Sequence, residues 1–128
     1  MAYYESRIIE TGFDDAVRRA TEALARQGFG IITEIDVKET IKRKLGADFR
    51  SYRILGACNP AYARRALELE DKIGTMLPCN VIVQEIGPGR VEIAAIDPVA
   101  SMAAVDNPPL KQLAAEVAEM LRKAVASA

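Results

Sequence analysis

Gly87-Pro88-Gly89 separates two β-branched runs, Cys79–Ile86 and Arg90–Ile96, and no other stretch of this 128-residue chain restricts the fold as tightly. Glycines on both sides of a proline supply turn geometry, and runs bounded so closely fold back on each other as an antiparallel hairpin. Val81 and Val83 share one phase of the first run, and Val91, Ile93 and Ala95 share one phase of the second. Whatever precedes this unit has to join a sheet that is antiparallel at its end.

Upstream, Tyr3–Glu10 alternates imperfectly and is rich in Tyr and Ile, which predicts a first strand. Phe13, Val17, Ala20 and Leu24 recur at helical spacing, with acids in the first turn and Gly28 as the stop, so Phe13–Gln27 is an amphipathic helix. Phe29–Ile35 is a second, β-branched strand. Asp36 and Glu39 form a capping-box pattern ahead of a short helix with the stripe Val37, Ile41 and Leu45, closed by Gly46. Its outer cations, Lys38, Lys42, Arg43 and Lys44, fit a solvated face better than a phosphate site.

Phe49–Ala57 is a third strand, with Tyr52, Ile54, Gly56 and Cys58 in one phase. Asn59 as N-cap and Pro60 at the first helical position start a third helix, Ala61 to about Asp71, and Ile73–Pro78 is a turn. Asp97-Pro98 opens a turn or a single helical turn, and Asp97 reads as a cap rather than a catalytic acid. Asn107 caps a last helix to about Ala126, with Leu110, Leu113, Val117, Met120, Leu121 and Val125 on its inner side.

The resulting order, β-α-β-α-β-α-β-β-α, raises a doubly wound parallel sheet as one solution. The hairpin opposes it, and two helices of about ten residues are near the lower limit for crossovers. The expected class is α+β: a mostly antiparallel sheet of about five strands with the first and last helices on one face. No repeat or linker divides residues 1–128, which read as one domain.

Composition narrows the function. The chain has no histidine, which removes Ser-His and Cys-His machinery and every His-containing metal site. It has no tryptophan and 3 Phe, a poor basis for stacking single strands. A net charge of -1 gives no pull toward nucleic acid or an anionic membrane. The start, Met1–Glu10, has no signal-peptide pattern, and two cysteines point to a reducing cytoplasm as the expected compartment.

Ala57-Cys58-Asn59-Pro60 and Leu77-Pro78-Cys79-Asn80, with the helix between them, together with Gly28–Pro60 as a whole and Ala95-Ile96-Asp97-Pro98, resemble the prokaryotic family catalogued as domain of unknown function 302. The resemblance runs from about Phe13 to Leu121. It implies a small α+β protein similar in topology to one half of the TATA-binding protein fold, and a homodimer. It brings no established reaction and leaves the cofactor unknown, and a fold analogy does not transfer DNA binding.

Cys58 and Cys79 are the residues around which a site is expected. If the third and fourth strands are antiparallel neighbours, both thiols fall at one edge of the sheet beside the start of the third helix. Amides at a helix start favour a thiolate, while Pro60, a capping Asn59 and the apolar Leu55, Leu77 and Val81 oppose it. Three readings stand: small buried hydrophobes, a reversible dithiol or nucleophile with a resolving partner, and metal ligands. The spacing is not C-x-x-C, and two thiolates do not complete a zinc site. Asn59, Asn80 and Arg64 are the candidate ligand-binding residues, with Arg64 and its neighbour Arg65 available to an anion or to solvent.

Gly87–Arg90 and Gly28–Gly30 carry no phosphate or dinucleotide fingerprint, and Ser51 and Ser101 lack a partner base. Two functions follow: a thiol-redox or sulfur-handling accessory protein acting on a small thiol through Cys58 and Cys79, or a non-enzymatic dimeric module binding a small molecule.

Overall fold

The computed structural model of the protein describes residues 2–128. Strands β1 (Tyr4–Glu10), β2 (Gly30–Asp36) and β3 (Tyr52–Cys58) are each followed by a helix: α1 (Phe13–Arg26), α2 (Val37–Leu45) and α3 (Pro60–Leu69). A 3₁₀ helix over Asp71–Met76 leads into the hairpin β4 (Cys79–Gly87) and β5 (Arg90–Ile96), and the single turn α4 (Pro98–Ser101) precedes α5 (Pro108–Ser127). The strands form one five-stranded sheet in the order β1-β5-β4-β3-β2. Every neighbouring pair is antiparallel, so the fold is α+β as expected and the doubly wound alternative is excluded.

The hairpin closes through Gly89 at φ 69°, a left-handed conformation that glycine adopts without a Cβ penalty. Glu85 pairs with Val91 and Gly87 with Arg90, so Ile86 is an extra residue, a bulge that bends the strand at its tip. A second bulge lies in β2, where Ile31 faces Ala57 and Thr33 faces Gly56, leaving Ile32 unpaired.

Three helix starts carry side-chain caps at residues the sequence marks. The Glu39 amide donates to Asp36 Oδ1 at 3.0 Å, Val99 to Asp97 Oδ1 at 2.9 Å, and Leu110 to Asn107 Oδ1 at 3.3 Å. Asp97 is thus a cap. The box at α2 is half formed, because Glu39 turns forward to Arg43 at 3.2 Å. The third strand begins at Tyr52 rather than Phe49: ahead of the ladder, Arg50 lies 4.4 Å over the Phe49 ring and 5.5 Å over that of Tyr52.

Helices α1 and α5 lie side by side on one face of the sheet. The stripe that α1 buries is Ala16, Ala20, Ala23 and Leu24, small enough to bring its backbone close to the strands. Phe13 and Val17 flank it, half-buried. Under both helices the principal core joins Leu24 and Leu121 to Leu55, Val81, Val83, Val91 and Ile93.

A second cluster, Ala66, Ile73, Met102, Leu110, Leu113 and Ala114, lies beneath α3. Helix α5 supplies both, Leu110–Ala114 to the second and Val117–Val125 to the first. Its last carbonyls accept from arginines: Arg7 donates to Ala126 at 2.7 Å and Ala128 at 2.8 Å, Arg26 to Ser127 at 3.1 Å. Cations there satisfy orphan acceptors and complement the negative end of the helix dipole.

Candidate functional site: an apolar cavity between two cores

The two clusters do not meet completely. Between them a cavity of about 270 Å³ opens where β3 ends, α3 begins and β4 starts. Its sheet-side wall is Ala57, Cys58 and Cys79; α3 contributes Asn59, Tyr62, Ala63 and Ala66; α5 closes the far side with Leu113, Ala114 and Val117. Phe29, Pro98 and Met102 also line it, and none of its lining residues is charged.

The register sets where the two cysteines fall on the sheet. Ala57 is the cross-strand partner of Cys79, so Cys58 is one residue beyond it. Strands three and four are antiparallel neighbours with α3 as an excursion between them, the condition on which the expected site depended. Alternation along a strand sets Cys58 on the opposite phase from Ala57 and Cys79, which is not the arrangement of a directly paired cross-strand disulfide. Both cysteines are free, Cys58 half-buried and Cys79 buried. Burial above all, and then the charge of Cys58, pushes the Cys79 thiol up to about 11 from its ordinary 9.0. Cys79 is therefore a protonated, apolar wall residue at neutral pH.

Asn59 departs from its sequence reading. It occupies the N-cap position of α3, and its backbone carbonyl accepts from Ala63 at 2.9 Å, but its side chain makes no cap hydrogen bond. The amide instead approaches the turn after α1: a Cβ at Gly28, whose φ is +86°, would stand 3.0 Å from Asn59 Nδ2. Asn59 lines the cavity, and its amide is not consumed by the helix start. Asn80 and Arg64 are outside the cavity. Asn80 is exposed opposite Gly56, and Arg64, 83% exposed, donates to Glu68 at 2.9 Å. Neither side chain lines the cavity with the thiols.

Sequence reading missed Ile32, Tyr62, Met102 and the α5 wall. Ile32 lines the cavity because the β2 bulge re-aims it, an event no local pattern announces. Ala63 and Ala66, three apart beside Tyr62, were the available signal: small residues on the inward side of a short helix leave space.

A family model, "Domain of unknown function DUF302", matches residues 5–128. The chain belongs to the DUF302 family. One solved DUF302 structure similar to it is the "Crystal structure of uncharacterized conserved protein DUF302 from Bacillus stearothermophilus". It is 28% identical, with a TM-score of 0.91 over 99% of this chain and 98% of the other. No curated protein matches. The DUF302 fold thus carries no recorded reaction to this chain, and the chemistry has to be read from the cavity. Among the described residues no three His, Cys, Asp or Glu side chains converge to hold a metal, and no helix is long and apolar enough to cross a membrane.

Proposed function

We propose that this DUF302 protein is a non-enzymatic binding module for a small, uncharged, largely apolar molecule held between α3 and α5. The observation that carries this reading is a cavity of about 270 Å³ whose walls contain no charged side chain. A dry apolar void of roughly 150 Å³ accepts benzene, so this one suits a molecule on the order of ten non-hydrogen atoms. The Asn59 amide is a polar group available to orient such a ligand, in keeping with pockets that combine apolar walls and a few polar anchors.

Indole is a suitable probe. Titrated into the protein, it should shift the methyl resonances of Ala63, Ala66 and Leu113 and raise the melting temperature. Ala63→Leu, which fills the void, should abolish both effects while leaving the fold intact. Equal shifts in wild type and Ala63→Leu, or none in either, would remove the reading.

The thiol-redox or sulfur-handling alternative draws on one observation, that Cys58 and Cys79 line the same cavity. It asks Cys79 to react or resolve, and a thiol pushed up to about 11 is a weak nucleophile at pH 7. Iodoacetamide labelling separates the readings. Slow labelling of Cys79, relieved only on unfolding, goes with the binding module, and rapid labelling of both goes with the dithiol.

A further inference from the structure

Two side chains on the cavity wall exceed what an apolar ligand requires. Cys58, at the end of β3, lines the cavity while only half-buried, so its thiol is open to a molecule that enters. Cys79 is 8% exposed, and its thiol has no hydrogen-bond partner among the described residues. A buried polar group without a partner calls for a reason, and an S–H group, a weak donor, finds one in a ligand oxygen.

We propose that the ligand of this binding module is a small apolar aldehyde, captured reversibly as a hemithioacetal of Cys58; the capture rests on the binding role given above.

The step balances within the site. A lone pair on Cys58 Sγ forms the S–C bond at the carbonyl carbon, and the C=O π bond breaks toward oxygen. The proton that leaves the thiol ends on that oxygen. Nothing is oxidised or reduced, and no group departs. The adduct is as neutral as the free aldehyde, in keeping with walls that carry no charged side chain. Negative charge develops on oxygen during the addition, and hydrogen-bond donors on the same wall lower its cost. They are the Asn59 amide, which makes no cap hydrogen bond, and the Cys79 S–H, which keeps its proton at neutral pH because burial pushes it up to about 11.

The same walls disfavour the other chemistries open to a carbonyl or a thiol. Schiff-base capture needs a lysine, and none lines the cavity. A disulfide needs an oxidant and sulfurs that face each other, and Cys58 and Cys79 are on opposite phases of paired strands. Carrying an adduct on to hydrolysis or transfer needs a general base; no carboxylate lines the cavity and the chain has no histidine. Addition and its reversal are what remain, the chemistry of a carrier or scavenger. A sugar aldehyde, with a hydroxyl on each carbon, would give up its hydration against these walls without recompense.

Hydrocinnamaldehyde and hydrocinnamyl alcohol share a skeleton of about ten non-hydrogen atoms, the size the cavity suits, and separate capture from simple binding. Titrated into the full chain, the aldehyde should bind at least about tenfold tighter than the alcohol. Aldehyde isotopically labelled at its carbonyl carbon should give, by NMR, a protein-bound signal from a carbon bonded to both sulfur and oxygen, distinct from the imine signal of any surface lysine. In Cys58→Ala the two affinities should coincide and the sulfur-bound signal should vanish. Cys58→Ser, closer in shape, repeats the comparison should Cys58→Ala fail to fold. A wild type that binds indole but holds aldehyde and alcohol equally overturns the capture and leaves the binding module standing. A wild type that binds none of the three overturns both. A sulfur-bound signal that survives Cys58→Ala or Cys58→Ser overturns the assignment to Cys58.

Discussion

The core under α1 and the space under α3 use the same residue type to opposite ends. In α1, Ala16, Ala20 and Ala23 let the helix settle onto the sheet, and the residues below it are sealed, Val83 and Val91 at 0% exposure. In α3, Ala63 and Ala66 face Ala114 of α5, yet the gap stays open. The difference is in tethering. Helix α1 is linked to β1 and β2 at opposite ends of its length and packs along α5. Helix α3 is fixed to the ladder only at its start, where it leaves β3 at Pro60; its other end reaches β4, the neighbour of β3, through the 3₁₀ helix, and that connection holds it away from the sheet. Small side chains produce contact where a helix is able to approach, and a void where it is held off.

Truncation should expose this contrast at full size. Ile93→Ala, beneath α1 and α5, should cost about 2–5 kcal/mol, the loss of transfer energy plus a new cavity in a closed core. Leu67→Ala removes a comparable side chain that lines the existing void and is 44% exposed, so it should cost less than about 1 kcal/mol. Urea denaturation of both variants checks the pair. Comparable losses would mean that the space under α3 closes in solution.

Titration of Cys79 should give the next largest effect. Unfolded, the thiol loses its proton near 9.0; folded, it holds it to about 11 because burial disfavours the anion. Between these values the native state binds more protons than the unfolded state, so stability falls as pH rises. The contribution is complete below about pH 9 and is lost through pH 11, on the order of 2–3 kcal/mol. Measured as the difference between wild type and Cys79→Ala, it separates from the titration of tyrosines and lysines. A difference that is flat from pH 8 to 11 would mean that water reaches Cys79, and the hollow region, unlike the sealed core, would be wet at this wall.

What the sequence made legible was local. The Gly87–Gly89 turn and the caps at Asp36, Asp97 and Asn107 follow from residues within a few positions of one another, and each is where the pattern puts it, while the pairing of β3 with β4 was a supposition that the ladder bears out. The two thiols reach one cavity wall because the same local units fix the register. The cavity itself was hidden, since it joins a β2 bulge, the inner side of α3 and a stretch of α5 far along the chain. Arg64 and Asn80 are near the cysteines in sequence, but helical and strand periodicity turn both to solvent.

Asn59 and Asn107 refine the contrast at its finest scale, because identical Asn-Pro starts do different things. Asn107 accepts from Leu110 and also donates to the Leu69 carbonyl at 2.8 Å, tying α5 to the end of α3. Asn107→Ala should cost about 1–2 kcal/mol, a cap and a tertiary hydrogen bond together. Asn59 caps nothing with its side chain, so Asn59→Ala should cost under about 0.5 kcal/mol of folding stability while reducing indole affinity. Denaturation and titration on the same two variants decide it. Should Asn59→Ala cost as much as Asn107→Ala, the amide is engaged at the helix start, and the cavity wall loses the polar group that would orient a ligand.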